Sequence, residues 1–542
     1  MYILGCAFLV YLSVTFISQA IIFLLGYPLT IISLWIGLVA AIIVIIISPK
    51  QKFFAIKTKI ILMMTFISLL IITGIVAGYF FDVSWDGRDY HQKAISQLVN
   101  GWNPDYKTLE PENDYYNLML NCYPKGPWIL SALLYKFSGN IEIGKSTHLL
   151  LIISVFLISA SLLIRLGIKK WKMVLLSLLL AFNPISMVQA LTFYVDGILA
   201  SLITLYILIS CFSLLNFIPA WFEILSFGSV LALGLNVKFN GVAYFGIFIL
   251  GFLILKILIQ KTISPRFLLS HIIIVGLALV LVGFNPYILN TIKYKNPVYP
   301  TLGGEILNIP YNVERNIPSN FKTMFSLEKL AFSVFSPSQN TYGSDTGALK
   351  FPLFFNSKEL KSFITADTRI GGWGPLFGGA LLLSLIVGFY LLRSDSRIKF
   401  IFGFWIGLIM ITVIINPESW WARFSPQFWL VPVMILGFYW LSDVHAGKIV
   451  SYTLMFILLI NVFLVCGTNI SANLKYTRHM RTQLNRIQQI DKKIYVYYGP
   501  LDATRITLDY YQIPYEVVNN TDYLVKPKVL SPAVFYSYER IP

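Results

Sequence analysis

Residues 60–104 read IILMMTFISLLIITGIVAGYFFDVSWDGRDYHQKAISQLVNGWNP. Up to Phe80 the stretch carries no charge, and at about 1.5 Å per helical residue it matches the ~30 Å hydrocarbon core of a bilayer. From Asp82 the character reverses. Asp82, Asp86 and Asp89 arrive within eight positions, beside Arg88, Tyr90 and His91, and they are the first acids in the chain. An apolar run without period-two alternation reads as a spanning helix, because a lone strand would leave its backbone unpaired in lipid. The acids then mark the exit from the membrane.

Composition extends this reading to the whole chain. Of its 542 residues 57% are hydrophobic and 12% charged, and the mean hydropathy is +0.71. A soluble chain carries about 25% charged residues, so a soluble globular protein is excluded and a polytopic membrane protein expected. The first apolar run, Tyr2 to Leu25, lacks a basic n-region and a small-residue cleavage site, and reads as a retained span. Cys6, Cys122, Cys211 and Cys466 are too scattered for a disulfide framework, and the five histidines show no metal-ligand spacing.

The net charge of +17 would suit nucleic acid, but its placement argues for topology. Lys50, Lys52, Lys57 and Lys59 form one basic cluster, and Arg165, Lys169, Lys170 and Lys172 a second. Lys256, Lys261 and Arg266 form a third, and Arg393, Arg397 and Lys399 a fourth. Each falls between apolar runs, as cytoplasmic loops do under the positive-inside rule. Nucleic acid is therefore not an expected partner; the bilayer is.

With those clusters cytoplasmic, hydropathy gives an all-α path of about 13 transmembrane helices. The expected spans are 2–26, 29–48, 60–80, 143–164, 173–191, 197–217, 221–236, 241–257, 267–289, 374–392, 399–416, 425–442 and 449–467. The N-terminus is then cytoplasmic and the C-terminus external. Two long polar loops, 81–142 and 290–373, fall outside, as does the tail. Residues 1–467 read as a transmembrane domain and 468–542 as a small extracytoplasmic α/β unit. KIYVYYG and YEVVNN are its expected strands and DATRITLDYYQ its helix. The Gly-, Pro- and Asn-rich stretches NPVYPTLGGE and QNTYGSDTGALKFP suit a lid.

Sparse charge marks the candidate chemistry. Residues 81–118 hold seven acids against three bases in an otherwise basic chain. Asp86 and Asp89 open an expected helix, 88–100, just past the membrane exit. There a carboxylate beside apolar walls could accept a proton, or could simply cap the helix. Between Glu142 and Glu305 the only acids are Asp196 and Glu223. Glu223 follows FIPAW in a cytoplasmic turn, whereas Asp196, in FYVDG, lies at the external end of two spans. An ionisable group at that depth is a functional candidate. Lys125 in YPKGPW, Lys238 in LNVKFNG, Arg369 in DTRIGGWGP and Arg423 in PESWWARFSP are cations on the external side. Each alone could be a snorkelling interfacial residue; together they suit an anion such as phosphate.

WDGRDYH, YPKGPW, FYVDG and ARFSPQFWLVP together resemble the polytopic C-type glycosyltransferases, among them protein O-mannosyltransferases, aminoarabinose lipid A transferases and bacterial relatives. The resemblance spans about residues 60–470 and rests on short motifs. It implies a polyprenyl-phosphate sugar as donor substrate, an active site on the extracytoplasmic face of a bacterial cell membrane, and an essential acid in the first external loop. It assigns Asp86 to that acid, Asp196 to the second acidic position, Lys125 to the lysine before proline and Arg423 to the basic residue before the late span; Asp89, beside Asp86 at the helix start, is a further catalytic candidate. With Tyr90 and His91 of the recurrent Asp–Tyr–His spacing, and with Lys238 and Arg369 added for their external placement, Lys125 and Arg423 form the expected substrate-binding set. Two features depart from the pattern: three spans precede the acidic loop instead of one, and Pro124 stands where the lipid A enzymes have a glutamate before the loop lysine.

The expected activity is inverting transfer of the sugar to a glycan, lipid or protein acceptor of the cell envelope. Asp86 is the general base, and Lys125, Arg423 and Lys238 neutralise the leaving phosphate. No cofactor is expected; a phosphate held by cations needs no metal, although an acid pair could bind one. The alternatives are a lipid-linked glycan polymerase or ligase, whose essential residues are arginines of one late loop, and a polysaccharide or lipid transporter. A transporter would place charges inside its spans and mirror its halves. A membrane scaffold without catalysis would be indifferent to loss of Asp86.

Overall fold

A computed structural model describes residues 1–48, 56–112, 114–261, 264–301, 317–340, 346, 348–392, 397–490 and 492–541. Lys50, Lys52 and Arg393 of the basic clusters lie outside these residues, as do 302–316, 341–345 and 347 of the expected lid.

Seven helices among the described residues are long and apolar enough to cross a membrane. They are Tyr2–Leu24, Ile56–Tyr79, Ile141–Arg165, Asp196–Leu214, Phe239–Gln260, Pro265–Val282 and Lys448–Ile490. Five shorter apolar helices accompany them: Ile32–Ile47, Ala220–Gly234, Phe377–Leu391, Lys399–Ile415 and Pro426–Leu441. The segment expected as one span at 173–191 is two helices, Lys170–Ala181 and Pro184–Gln189. Pro184 has no N–H to continue the first helix and disfavours helical geometry at Asn183. Asn183 instead caps the second, accepting from Ile185 N at 3.0 Å. Of the thirteen expected spans, seven are thus full-length helices, five are short and one is broken.

Burial sorts the helices into centre and rim. The apolar window of Asp196–Leu214 is entirely inside the protein, packed by Ile141–Arg165, Ala220–Gly234 and Phe239–Gln260. Ile56–Tyr79 is at the rim, with Ile61, Met64, Ile71 and Ile75 exposed. Bare apolar faces of that extent are stable against hydrocarbon and not against water. The molecule is a multi-pass membrane protein.

Helix Lys448–Ile490 has 43 residues, which makes it about 65 Å long, roughly twice the hydrocarbon thickness. Its first half is apolar; its second carries Lys475, Arg478, Arg481 and Arg486 and leads into a four-stranded sheet. The strands are β1 (Ile494–Tyr497), β2 (Tyr515–Val517), β3 (Lys528–Ser531) and β4 (Val534–Ser537), in the order β2-β1-β4-β3. β1 pairs parallel with β2, Ile494 opposite Tyr515, and antiparallel with β4, Val496 opposite Tyr536. The expected strands and helix are all found, the helix as Thr504–Tyr510. Met480, Leu484 and Ile487 of the long helix share one apolar cluster with Val496, Leu530, Tyr536 and the loop residue Phe81. The expected boundary at 467 therefore falls inside a continuous helix, and the terminal unit sits on the acidic loop.

Candidate functional site

Asp82, the first acid past the membrane exit, is a tether. Its Oδ1 accepts from Ser84 N at 2.7 Å and its Oδ2 from Phe193 N at 3.1 Å, while its own N donates to Glu142. One carboxylate thereby joins the turn before Asp86 to the turn before Asp196. The chain then enters a π-helical turn, Gly87–His91, which precedes the α-helix Gln92–Val99. The helix expected at 88–100 thus begins with a wider turn, which re-aims successive side chains. A Cβ at Gly87 would lie 1.9 Å from Asp82 Oδ2 and 2.3 Å from Ser84 Oγ. Gly87→Ala should therefore detach Asp82 and cost about 1–3 kcal/mol, as overpacking does. Thermal unfolding in lipid nanodiscs measures this, and an unchanged Tm would show that the turn has slack.

Four elements meet beyond that turn. Arg423, in the short helix Ala422–Phe424, is the hub. Its Nη1 donates to Asp86 Oδ2 at 3.1 Å and to Asp367 Oδ2 at 3.3 Å. Its Nε lies 3.8 Å from Asp196 Oδ2, buried and without a hydrogen-bond partner. Lys238 Nζ donates to Asp196 Oδ1 at 2.7 Å. Gln189 holds the other side of Asp196, its Nε2 donating to Oδ2 at 3.3 Å and its Oε1 accepting from Gly197 N at 2.7 Å. Trp421 Nε1 donates to Asp367 Oδ1 at 2.6 Å. Aromatic faces wall the cations: Tyr194 and Trp421 lie 5.1 and 4.9 Å from the Arg423 guanidinium, and Phe424 lies 4.2 Å from Lys238 Nζ. Low local dielectric strengthens each of these interactions.

Accessibility separates the three acids. The side chain of Asp196 is 2% exposed, that of Asp367 16% and that of Asp86 21%. Asp86 is the one that an incoming group reaches most readily. Burial pushes the Asp367 carboxyl above the usual range, against the pull of Arg423. The guanidinium fills the space between the acids, and among the described residues no set of three or more His, Cys, Asp or Glu could hold a metal ion.

The structure thus brings together Asp86, Asp196, Lys238 and Arg423 of the residues singled out from sequence. Arg369 is beside them, its guanidinium 4.4 Å from the Trp421 ring. Asp367 was not singled out, although it stands two residues before Arg369 in the same motif. The His91 ring lies tilted against that of Tyr90, centroids 4.2 Å apart, and its Nδ1 accepts from Trp128 Nε1 at 2.6 Å. Burial pulls its pKa down to about 4, so the ring is neutral at physiological pH.

Two expected residues stand apart. Lys125 is buried with its amine directed to Asn121 O at 2.9 Å, Tyr123 O at 2.8 Å and Asn285 Oδ1. An ammonium has three N–H donors, so these acceptors leave none for a phosphate. Burial lowers its pKa to about 7, which weakens it further as a fixed cation. Asp89 is on the other side of the turn, near Tyr116 and Lys93, the latter paired with Asp502 of the terminal unit at 2.8 Å. Burial raises the Asp89 pKa to about 6. A carboxyl raised in the folded state adds stability as pH falls from about 6 toward the ordinary value near 4. Asp89→Asn should remove that gain, flattening the pH dependence of Tm in this window; a parental slope would place the titration elsewhere.

No family model matches the chain, and no curated protein matches it. Among solved structures it is similar to the crystal structure of ArnT from Cupriavidus metallidurans in the apo state, at 12% identity. That match covers 84% of this chain and 86% of the other, with a TM-score of 0.35, too low to carry an argument about function.

Proposed function

We propose that the chain is a membrane glycosyltransferase that moves a sugar from a polyprenyl-phosphate donor to a cell-envelope acceptor by inverting displacement. The observation that carries the reading is the Arg423 cluster: three carboxylates and a second cation gathered from four distant segments at the polar end of an apolar bundle. Asp86 is the general base. It takes the proton of the acceptor hydroxyl as that oxygen bonds to the anomeric carbon and the bond from this carbon to the phosphate oxygen breaks. The phosphate leaves with the electron pair, toward Arg423 and Lys238.

The resting charges suggest the order of events. Asp86, Asp196 and Asp367 balance Lys238, Arg369 and Arg423, so an arriving phosphate must compete for a cation. Asp86 is the most accessible of Arg423's partners. A phosphate that takes Arg423 from it neutralises the leaving group and releases the base in one exchange. Lys238 fills the role that Lys125, occupied by carbonyls, cannot.

In this reading the site and the terminal unit face the extracytoplasmic side, the N-terminus is cytoplasmic, and the donor enters laterally because its prenyl chain stays in the bilayer. The test is transfer of radiolabelled sugar from a polyprenyl-phosphate donor by the purified chain in nanodiscs. Absence of turnover with every such donor would sink the reading. One feature favours a ligase: the hub is an arginine of a late loop. A ligase would use a pyrophosphate-linked glycan, so a parallel assay with that donor separates the two.

A further inference from the structure

A cavity of about 250 Å3, lined by both polar and apolar groups, lies where the membrane bundle meets the terminal unit. Its lining includes Phe81, Asn140, Arg481, Thr507, Tyr510 and Tyr511 and none of the Arg423 cluster. Gly78 and Ile141 also border it, and these belong to the last turn of one apolar helix and the first of another. The cavity is therefore at the depth where hydrocarbon gives way to headgroups, among residues that favour that boundary: Tyr79 and Tyr510 are exposed beside it.

Arg481 gives the cavity its chemistry. Its Nη2 donates to Tyr79 O at 2.8 Å, and its guanidinium lies 4.8 and 5.5 Å from the rings of Tyr79 and Phe81. Its Nε is buried with no hydrogen-bond partner. Among the described residues no carboxylate is within ion-pair distance of it. Glu142 borders the same cavity, but its carboxylate is taken by Lys145 at 2.6 Å and by Asp82 N at 3.2 Å. Aromatic faces thus fix an arginine that no carboxylate among the described residues pairs with, in a space large enough for a small anionic group. A planar fork of N–H donors suits phosphate oxygens, and the aromatic walls suit the glycerol or sugar carbons attached to them.

We infer that this cavity binds the phosphate headgroup of an anionic membrane lipid, with Arg481 as its principal ligand. Through Glu142 and Asp82 the floor of the cavity is joined by hydrogen bonds to the turns that carry Asp86 and Asp196. The inference does not depend on the transferase reading and would hold for a transporter.

The full chain in phosphatidylcholine nanodiscs, titrated with phosphatidylglycerol and separately with inorganic phosphate, tests it by native mass spectrometry. Arg481→Gln should weaken retention of phosphatidylglycerol about tenfold, the effect of losing one charge-assisted contact. Arg481→Lys should fall between the two, and Arg486→Gln, exposed on the same helix and outside the cavity, should match the parent. If Arg481→Gln weakens inorganic phosphate but not the lipid, the ligand is a soluble phosphate and the lipid assignment is overturned. If neither probe separates Arg481→Gln from Arg486→Gln, the cavity is no anion site. Arg481→Lys keeps the test valid should Arg481→Gln fold poorly.

Discussion

Asp86→Asn should lower sugar transfer by about 10²–10⁴-fold, the usual contribution of a general base, while folding and donor binding persist. The amide keeps the size of the side chain and an oxygen for Arg423 Nη1, so the contact at 3.1 Å has a neutral replacement. Arg423 retains Asp367 and Asp196, and no buried cation is left alone. What the amide cannot do is take the acceptor's proton at neutral pH. Asp89→Asn is the matched control: it makes the same chemical change three residues along, on a side chain directed at Tyr116 and Lys93 instead of Arg423. Purified variants in nanodiscs, assayed at saturating donor, distinguish the two. Parental turnover in Asp86→Asn with loss in Asp89→Asn would move the base to Asp89; parental turnover in both would remove general-base catalysis from this loop.

Much of this arrangement is legible in the sequence because charge is scarce in it. Asp196 is conspicuous as one of two acids in a long apolar stretch, and Lys238 and Arg423 as cations where topology does not call for them. Asp367 is hidden for the opposite reason. It lies in a polar loop where one more acid carries no information, and only the fold brings it 3.3 Å from Arg423. Lys125 misleads because its position between two prolines looks like a display site. The same turn instead presents the carbonyls of Asn121 and Tyr123 to its amine. β3 and β4 were not expected: Pro527 and Pro532 punctuate the segment, and the turn between the strands uses Ala533 at φ 64°, where a glycine or asparagine would have signalled it. β3 pairs only with β4, as a local hairpin, and β4 joins the sheet through β1, about forty residues upstream, a long-range contact that local pattern does not encode.

Arg423 should be the most sensitive cation in the molecule, for stability with one substitution and for transfer with another. Arg423→Met removes the partner shared by three carboxylates, and stranding a buried charge in this way costs about 3–5 kcal/mol. The loss should fall near the lower end of that range. Asp196 keeps Lys238 at 2.7 Å and Asp86 keeps access to solvent, so Asp367, with only Trp421 Nε1 at 2.6 Å, is the group left most exposed to desolvation. Burial already holds Asp367 above the ordinary carboxylate range, and loss of Arg423 moves it further up. The stability deficit should therefore shrink as pH falls through the values above about 4, because the folded variant takes up a proton that the unfolded chain does not. Arg423→Lys keeps the charge and should keep most of the Tm. A point-like ammonium has no second nitrogen to place toward Asp196 while the first holds Asp86 and Asp367, and it lacks the planar fork that would exchange one of them for phosphate in the same geometry. Transfer should then fall by about 10²–10³-fold, as when one preorganised donor to a developing anion is removed. Thermal unfolding across pH and single-turnover transfer measure the two effects separately. A Met variant as stable as the parent at neutral pH would mean the acids do not depend on the arginine, and a Lys variant with parental turnover would mean its fork plays no part in the reaction.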